Sequence, residues 1–422
     1  YHNNMPVPLV AAGKNLSFWP MGPLFRSGGA FFIRRSFRGA VLYSKVFAEY
    51  IYKLLEEGHN IEQFIEGGRS RTGKLLMPKL GLLSILLNAF RNGACEDMII
   101  VPIYIGYDRV PEEKAYLHEL EGGTKEPESL AQVIKARKVL KKRFGKIYIH
   151  FCDPIRLRDL ENEYGSRVRD MRSKELRTLT RDLGNRVLQA IDHHTVVTPQ
   201  AIVAAALLNR PHKIISQDQI DFYIDTFMAY LDARQAVCAE TLLIDAPHAV
   251  RHILKRFGQQ KYIKSFATTE RSAGHYQVNP AKRSALDYYK NNAIAPFVPA
   301  ALTAIAILAA DAFQFNSRDL RTRFASLQRL FQNEFSLNED EAPDTMLRKT
   351  LKVFMEDAIV VPHPALPEAY NLTAEGYRKL KSFAGFLSPL FESYRVVLRY
   401  FQQTAVEQHD PPQRLKQIQY LG

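Results

Sequence analysis

Cysteine is scarce in this chain: Cys95, Cys152 and Cys238 are the only three among 422 residues. Three is an odd number and the spacings are wide, which excludes a disulfide scaffold and points to a reducing compartment. None of them stands at metal-ligand spacing. The histidine pairs His193-His194 and His248-x-x-x-His252 have no Cys or acidic third ligand at a recognisable offset, so no metal site is read from the sequence. Long apolar runs are also lacking. The nearest to a membrane helix is Asn292 to Ala310, uncharged but interrupted by Pro296 and Pro299. It reads as a buried core helix after a proline turn, with a membrane-embedded segment as the alternative. No sequence repeat and no low-complexity tract is visible. An initiating Met is missing as well: the chain opens in mid-pattern at Tyr1, which reads as a fragment.

What the chain has in plenty is apolar residues and positive charge. At 46% hydrophobic it can build real cores, and 422 residues allow two or three domains. The net charge of +13 calls for an anionic partner: nucleic acid, an anionic membrane surface or a phosphorylated substrate. The excess is uneven. Residues 1–160 hold 24 Lys and Arg against 16 Asp and Glu.

Two regions differ in pattern. In the first, short apolar strands are expected at 6–12, at 28–35 ending in Arg34-Arg35, at 61–65, at 98–105 and at 147–151. The run 98–105 is apolar enough for a strand buried on both faces. Helices are expected over 40–57, stopping at Gly58, and over 78–90 with Pro78 near its first turn. Strands alternating with helices give an α/β domain with a largely parallel or mixed sheet flanked by helices, so chemistry belongs where strands end. The stretch 16–25 (Leu-Ser-Phe-Trp-Pro-Met-Gly-Pro-Leu-Phe) reads as a loop or short helix with an apolar surface, and 129–146 as a basic amphipathic helix, either a solvated face packing on the sheet or a membrane-surface or anionic-ligand face; both stretches offer contact with an anionic membrane surface. Residues 155–185 are so charged that they read as a surface helix pair or a mobile connection. From 198 the chain becomes mostly α-helical. Thr198-Pro199 and Ser216-x-x-Gln219 are helix starts, Ile359–Leu372 is hairpin-like, and Thr373 and Ser388-Pro389 open two more helices. The expected domains are 1–197 and 198–422.

The densest chemistry lies at Phe64-Ile65-Glu66-Gly67-Gly68-Arg69-Ser70-Arg71-Thr72-Gly73-Lys74, with three glycines, three cations and one carboxylate. Glycine lets the backbone turn its N–H groups toward a ligand, and arginine supplies fork-shaped donors, so the stretch suits a phosphate. Gly68-x-x-x-x-Gly73-Lys74 approaches a nucleotide P-loop. It fails at Leu75, where magnesium needs Ser or Thr, and at Glu66, whose charge would face the nucleotide phosphates.

Glu66-Gly67-Gly68-Arg69-Ser70 at a strand end resembles the third sequence block of the glycerolipid acyltransferases. Gly29-Ala30-Phe31-Phe32-Ile33-Arg34-Arg35 resembles the second block and Val101-Pro102-Ile103-Tyr104-Ile105-Gly106-Tyr107 the fourth, in the family's order. With Phe18-Trp19-Pro20, the wording is similar to the bacterial membrane-bound glycerol-3-phosphate branch. The resemblance implies an acyltransferase domain over 1–197 and a helical C-terminal region over 198–422. It implies transfer of an acyl group from acyl-CoA or acyl-carrier protein to the sn-1 hydroxyl of glycerol 3-phosphate, with no cofactor, at the cytoplasmic face of the bacterial inner membrane. Arg34, Arg35, Gly67, Gly68, Arg69 and Ser70 would hold the phosphate, Glu66 would meet a glycerol hydroxyl or orient the arginines, and Pro102 would shape the pocket floor. The family's first block, His-x-x-x-x-Asp, supplies a general base, and none of the twelve histidines has Asp five residues on. The motif is therefore expected upstream of Tyr1, no catalytic residue proper is assigned within this chain, and the chain alone is expected to be inactive. A catalytically dead binder of lipid precursors is one alternative. A basic winged-helix-like nucleic-acid module in the second half is another, disfavoured because the excess charge sits in the first region.

Overall fold

The structure, a computed structural model, describes residues 6–34, 37, 39–110, 145–209, 214–266, 274–336 and 343–403. Arg35 and most of the basic stretch 129–146 lie outside the described residues. The chain divides into two compact units, Tyr1–Thr195 with Asn333–Asn338, and Val196–Gln332 with Glu339–Gly422.

In the first unit a parallel sheet has the order β2 (Ala30–Ile33), β1 (Leu9–Gly13), β3 (Ile61–Glu62). Helix α1 (Met21–Ser27) precedes β2, and α2 (Val41–Glu56) follows it. Helix α3 (Leu80–Arg91) begins two residues after Pro78, which precedes the N-cap Lys79 rather than sitting inside the first turn. Next come α4 (Leu157–Tyr164) and α5 (Ser173–His193). The charged stretch is a helix pair with its charges mostly exposed, not a mobile connection, and it also carries core: Leu157, Leu160, Leu176, Leu179, Leu183 and Leu188 are buried with Phe47, Ile51 and Leu87 in one core. Their spacing of three and four residues forms an apolar stripe that the surrounding charges obscured. Gly184 allows α3 and α5 to approach, because a Cβ there would stand 2.5 Å from Leu80 Cδ2.

The run 98–105 is also not one doubly buried strand. It is β4 (Ile99–Ile100) and β5 (Ile103–Tyr107), paired antiparallel with β7 (Ile155–Arg156) and β6 (Ile147–Phe151). Ile99 and Ile105 are 51% and 43% exposed. Pro102 breaks the first chain of this ladder and Pro154 the second, since neither has an N–H to donate. The ladder stays aligned across the break because Cys152 N–H donates to the Pro102 carbonyl at 2.9 Å and Leu157 N–H to that of Met98 at 3.1 Å.

The second unit repeats one arrangement. The first copy runs α6 (Pro199–Leu208), β8 (Ile215–Ser216), α7 (Gln217–Ala233), α8 (Glu240–Gln259), β9 (Ile263–Phe266), β10 (His275–Val278) and α9 (Arg283–Asn291). The second runs α10 (Val298–Leu308), β11 (Gln314–Asn316), α11 (Ser317–Phe331), α12 (Pro343–Glu356), β12 (Val360–Pro362), β13 (Ala369–Leu372) and α13 (Ala374–Ala384), after which α14 (Ser388–Gln403) follows. Both sheets are antiparallel with the third strand in the middle, β8-β10-β9 and β11-β13-β12, the winged-helix order. Backbone bonds recur at matching places. Tyr262 N–H to Phe257 O (2.9 Å) matches Ile359 to Phe354 (2.8 Å), and Gln217 N–H to Gly274 O (2.9 Å) matches Ser317 to Glu368 (2.8 Å). Ser216 and Asn316 cap α7 and α11 by accepting from Gln219 and Asp319 N–H. The sequence showed no repeat because equivalent positions share a job rather than a letter.

Thr198 and Thr373 also cap as expected, accepting from Ala201 and Gly376 N–H. The apolar segment 292–310 contributes α10, in which Ala300, Ala301, Leu302 and Ala304 are fully buried. Phe227, Tyr230, Phe297, Phe383 and Phe386 cluster in the same unit, with Phe297 and Phe386 stacked at 4.3 Å. Among the described residues no single helix is long and apolar enough to cross a membrane.

Candidate functional site

Parallel strands place all their C-terminal ends at one edge. Arg34 follows β2, Lys14 follows β1, and the loop 64–76 follows β3, so all three reach the same edge. The resemblance has Arg34 and Arg69 hold one phosphate. They are not adjacent: β1 lies between, which sets their strands about 9–10 Å apart at the usual spacing. Arg34 also leans on α2. Its backbone N–H donates to the Tyr43 hydroxyl at 3.2 Å, and its guanidinium lies 4.7 Å from that ring's centroid. Lys14, exposed between them, is a cation that sequence reasoning missed. Strand order would have revealed it, and strand order is not local.

The loop is built on a turn at Gly67. Its φ is +58°, and an added Cβ would meet Lys79 Cγ at 2.6 Å, so glycine is required there. Gly67 N–H donates to the Phe64 carbonyl at 2.9 Å and so is not offered to a ligand, contrary to expectation. The next three N–H groups, of Gly68, Arg69 and Ser70, have no partner among the described residues. Nothing lies within 4 Å of a Cβ built on Gly68, and Gly68 and Arg69 are exposed. Successive open N–H groups beside a guanidinium form a concavity suited to an anion. Ser70 Oγ is 3.5 Å from Thr72 Oγ1.

Glu66 is half-buried, and its Oε2 accepts from Leu76 N–H at 2.8 Å, closing the loop across its base. Burial pushes its carboxyl up, and the Leu76 bond partly offsets that. Asp192, in the last turn of α5, was not foreseen. Burial first, and then the Glu66 charge, push its carboxyl up to about 7, while Lys74 pulls the other way. A signal existed: an acid in the last turn of a helix opposes the macrodipole. Lys74 is paired with Glu334. Pro102 is buried in the antiparallel ladder, a different sheet from the one that carries Glu66.

Cys152 is filler. It is 4% exposed, its Sγ lies 3.5 Å from the Ala190 carbonyl, and burial pushes its thiol up, away from the thiolate a nucleophile needs. The His150 and His194 rings stack at 4.0 Å. Among the described residues no three His, Cys, Asp or Glu side chains are placed to hold a metal. Beside β2, a groove of about 440 Å³ is lined by Phe31, Phe32, Tyr43, Val46, Phe47 and Tyr50, with Arg26 at its edge. Trp19 just before α1, Leu24 on α1, and Val41 and Leu42 on α2 stand exposed.

The first unit is an α/β domain with open N–H groups and cations at its strand ends. A model of the acyltransferase family matches residues 1–106, and one described as the glycerol-3-phosphate acyltransferase C-terminal region matches residues 116–422. The chain belongs to the glycerol-3-phosphate acyltransferase family. It is similar to the glycerol-3-phosphate acyltransferase of Alteromonas mediterranea, 35% identical over 353 residues, 81% of this chain and 42% of that protein. The Shewanella loihica protein of the same name is 30% identical over 405 residues, 94% of this chain and 48% of the relative. That of Pseudomonas syringae pv. syringae is 33% identical over 394 residues, 88% and 46%. The chain thus spans about half the length of the curated relatives it matches.

Proposed function

We propose that this chain carries the acceptor-binding part of a glycerol-3-phosphate 1-O-acyltransferase. The observation that carries the reading is the run of open N–H groups at Gly68, Arg69 and Ser70 beside the exposed Arg69 guanidinium and the half-buried Glu66. The phosphate of glycerol 3-phosphate accepts from these N–H groups and from Arg69, each charge-assisted bond contributing about 1.5–3 kcal/mol. The second oxygen of Glu66 accepts from a glycerol hydroxyl, which orients the acceptor toward the acyl carbon. Lys14 and Arg34 add positive field at the same strand edge. The sn-1 oxygen attacks the thioester carbonyl of acyl-CoA or acyl-carrier protein, its proton passes to a base, and the thiol leaves. The step is redox-neutral and needs no cofactor. The groove lined by Phe31, Tyr43 and Phe47 has the size and apolar lining for an acyl chain, and it adjoins Arg34 through Tyr43. Exposed Trp19, Leu24, Val41 and Leu42 fit a peripheral position on the cytoplasmic leaflet, where acyl donors and product partition.

Steady-state kinetics of the whole protein test the assignment. Arg69→Ala raises KM for glycerol 3-phosphate by about tenfold or more, corresponding to one lost charge-assisted contact, and leaves KM for the acyl donor in place. An unchanged acceptor KM with weakened donor binding contradicts it.

A further inference from the structure

Lys74 is the third cation of the loop, and its surroundings differ from those of Arg69. Its Nζ donates to the Glu334 backbone carbonyl at 2.6 Å, pairs with the Glu334 carboxylate, and lies 4.9 Å from the centroid of the Phe335 ring. A carbonyl, a carboxylate and an aromatic face thus surround the ammonium group. The Lys74 side chain is 13% exposed and Phe335 only 7%. This is an enclosed contact, unlike the solvated pairs that contribute little. Glu334 lies 260 residues further along the chain, in a short segment that groups with the first unit. The loop is therefore tied at two places. Glu66 accepts from Leu76 across its base, and Lys74 is anchored to Glu334 just beyond Gly73, whose φ is +83°. The open N–H groups of Gly68, Arg69 and Ser70 lie between Glu66 and Lys74, in a stretch with no helix or strand of its own.

We propose that Glu334 and Phe335 are positioning residues for the acceptor loop: by anchoring Lys74 they hold the Gly68–Ser70 donors in a phosphate-binding arrangement. They touch neither substrate nor reacting atoms. The proposal rests on the reading that this loop binds the phosphate of glycerol 3-phosphate, and it gives Glu334 and Phe335 a part in acceptor affinity.

A double-mutant cycle in the whole protein tests it. Lys74→Met and Glu334→Gln each raise KM for glycerol 3-phosphate about tenfold, while KM for the acyl donor holds. The double variant is no worse than either single one, because both break one tie. Lys74→Arg, which keeps charge and ring contact, stays within about twofold. Trypsin then cleaves after Arg69 and Arg71 several-fold faster in the two neutral variants, with other sites unchanged. An unchanged KM in the singles overturns the proposal. So does a double variant whose effect is the product of the two, or a parallel rise for both substrates. Should the neutral variants be too unstable to assay, Phe335→Leu keeps the buried volume and removes the ring face. A several-fold rise in acceptor KM supports the proposal there, and none overturns it. Arg69→Ala separates the two levels: if it leaves acceptor KM unchanged the loop reading fails, whereas a rise there with none in Glu334→Gln sinks the positioning role alone.

Discussion

Replacing Asp192 by Asn removes a carboxyl that the fold makes hard to ionise. In the folded chain that carboxyl sits at about 7 instead of 3.8, a rise of about three pK units caused first by burial and then by the Glu66 charge. At about 1.4 kcal/mol per unit this is roughly 4 kcal/mol, and about 2 kcal/mol once partial access to water is allowed for. The folded state holds the proton more tightly than the unfolded one. Stability from this group is thus fully present below the unfolded value of 3.8 and is lost as pH rises through about 7. Near pH 4 a protonated Asp192 and an Asn are alike. At pH 8 the wild type carries the cost of the ionised group and Asp192→Asn does not. The variant should therefore be more stable at pH 8 by about 2 kcal/mol. For a unit of this size that is a rise of roughly 4–8 °C in its melting temperature. The assay is thermal unfolding of wild type and Asp192→Asn between pH 4.5 and 8.5. A stability gap that is the same at both ends of the range refutes the reasoning, as does a variant less stable than wild type at pH 8.

Other perturbations separate backbone geometry from chemistry. Gly67→Ala forces a side chain into φ +58° and against Lys79, so it should cost about 2 kcal/mol of stability as well as acceptor affinity. Gly68→Ala meets nothing within 4 Å and should change stability by less than about 0.5 kcal/mol, yet raise acceptor KM by narrowing the open peptide; denaturant melts read beside KM check both. Val46→Trp, on the groove wall, should shift preference toward shorter acyl donors with acceptor KM unchanged, as measured across a chain-length series.

Much of this was legible because it is local. Thr198, Ser216 and Thr373 cap helices through a side-chain oxygen that reaches the N–H three residues ahead, a rule read directly from neighbours. The Glu66–Ser70 loop stands out for the same reason, since its glycines and charges lie together in the chain. What depended on tertiary partners was not legible. An apolar run such as 98–105 does not say how many of its faces are covered, and Pro102 was the better clue that the ladder breaks there. The stripe Leu176, Leu179, Leu183 was hidden among charges, and only packing against α3 showed it to be core. The strand order β2-β1-β3 separated Arg34 from Arg69 and brought Lys14 to the edge between them. Lys74 and Asp192 acquired their roles from Glu334 and Glu66, residues distant in sequence. The duplication in the second unit was invisible because its copies keep the backbone bonds and exchange Ser216 for Asn316 and Asn279 for Thr373.

The central claim is that the Gly68–Ser70 nest with Arg69 holds the acceptor phosphate. Calorimetric titration of the whole protein with glycerol 3-phosphate, and in parallel with glycerol, tests it most directly. The account predicts saturable binding of glycerol 3-phosphate, at least tenfold weaker in Arg69→Ala, and no measurable binding of glycerol. Equal affinity of wild type and Arg69→Ala for glycerol 3-phosphate would contradict it.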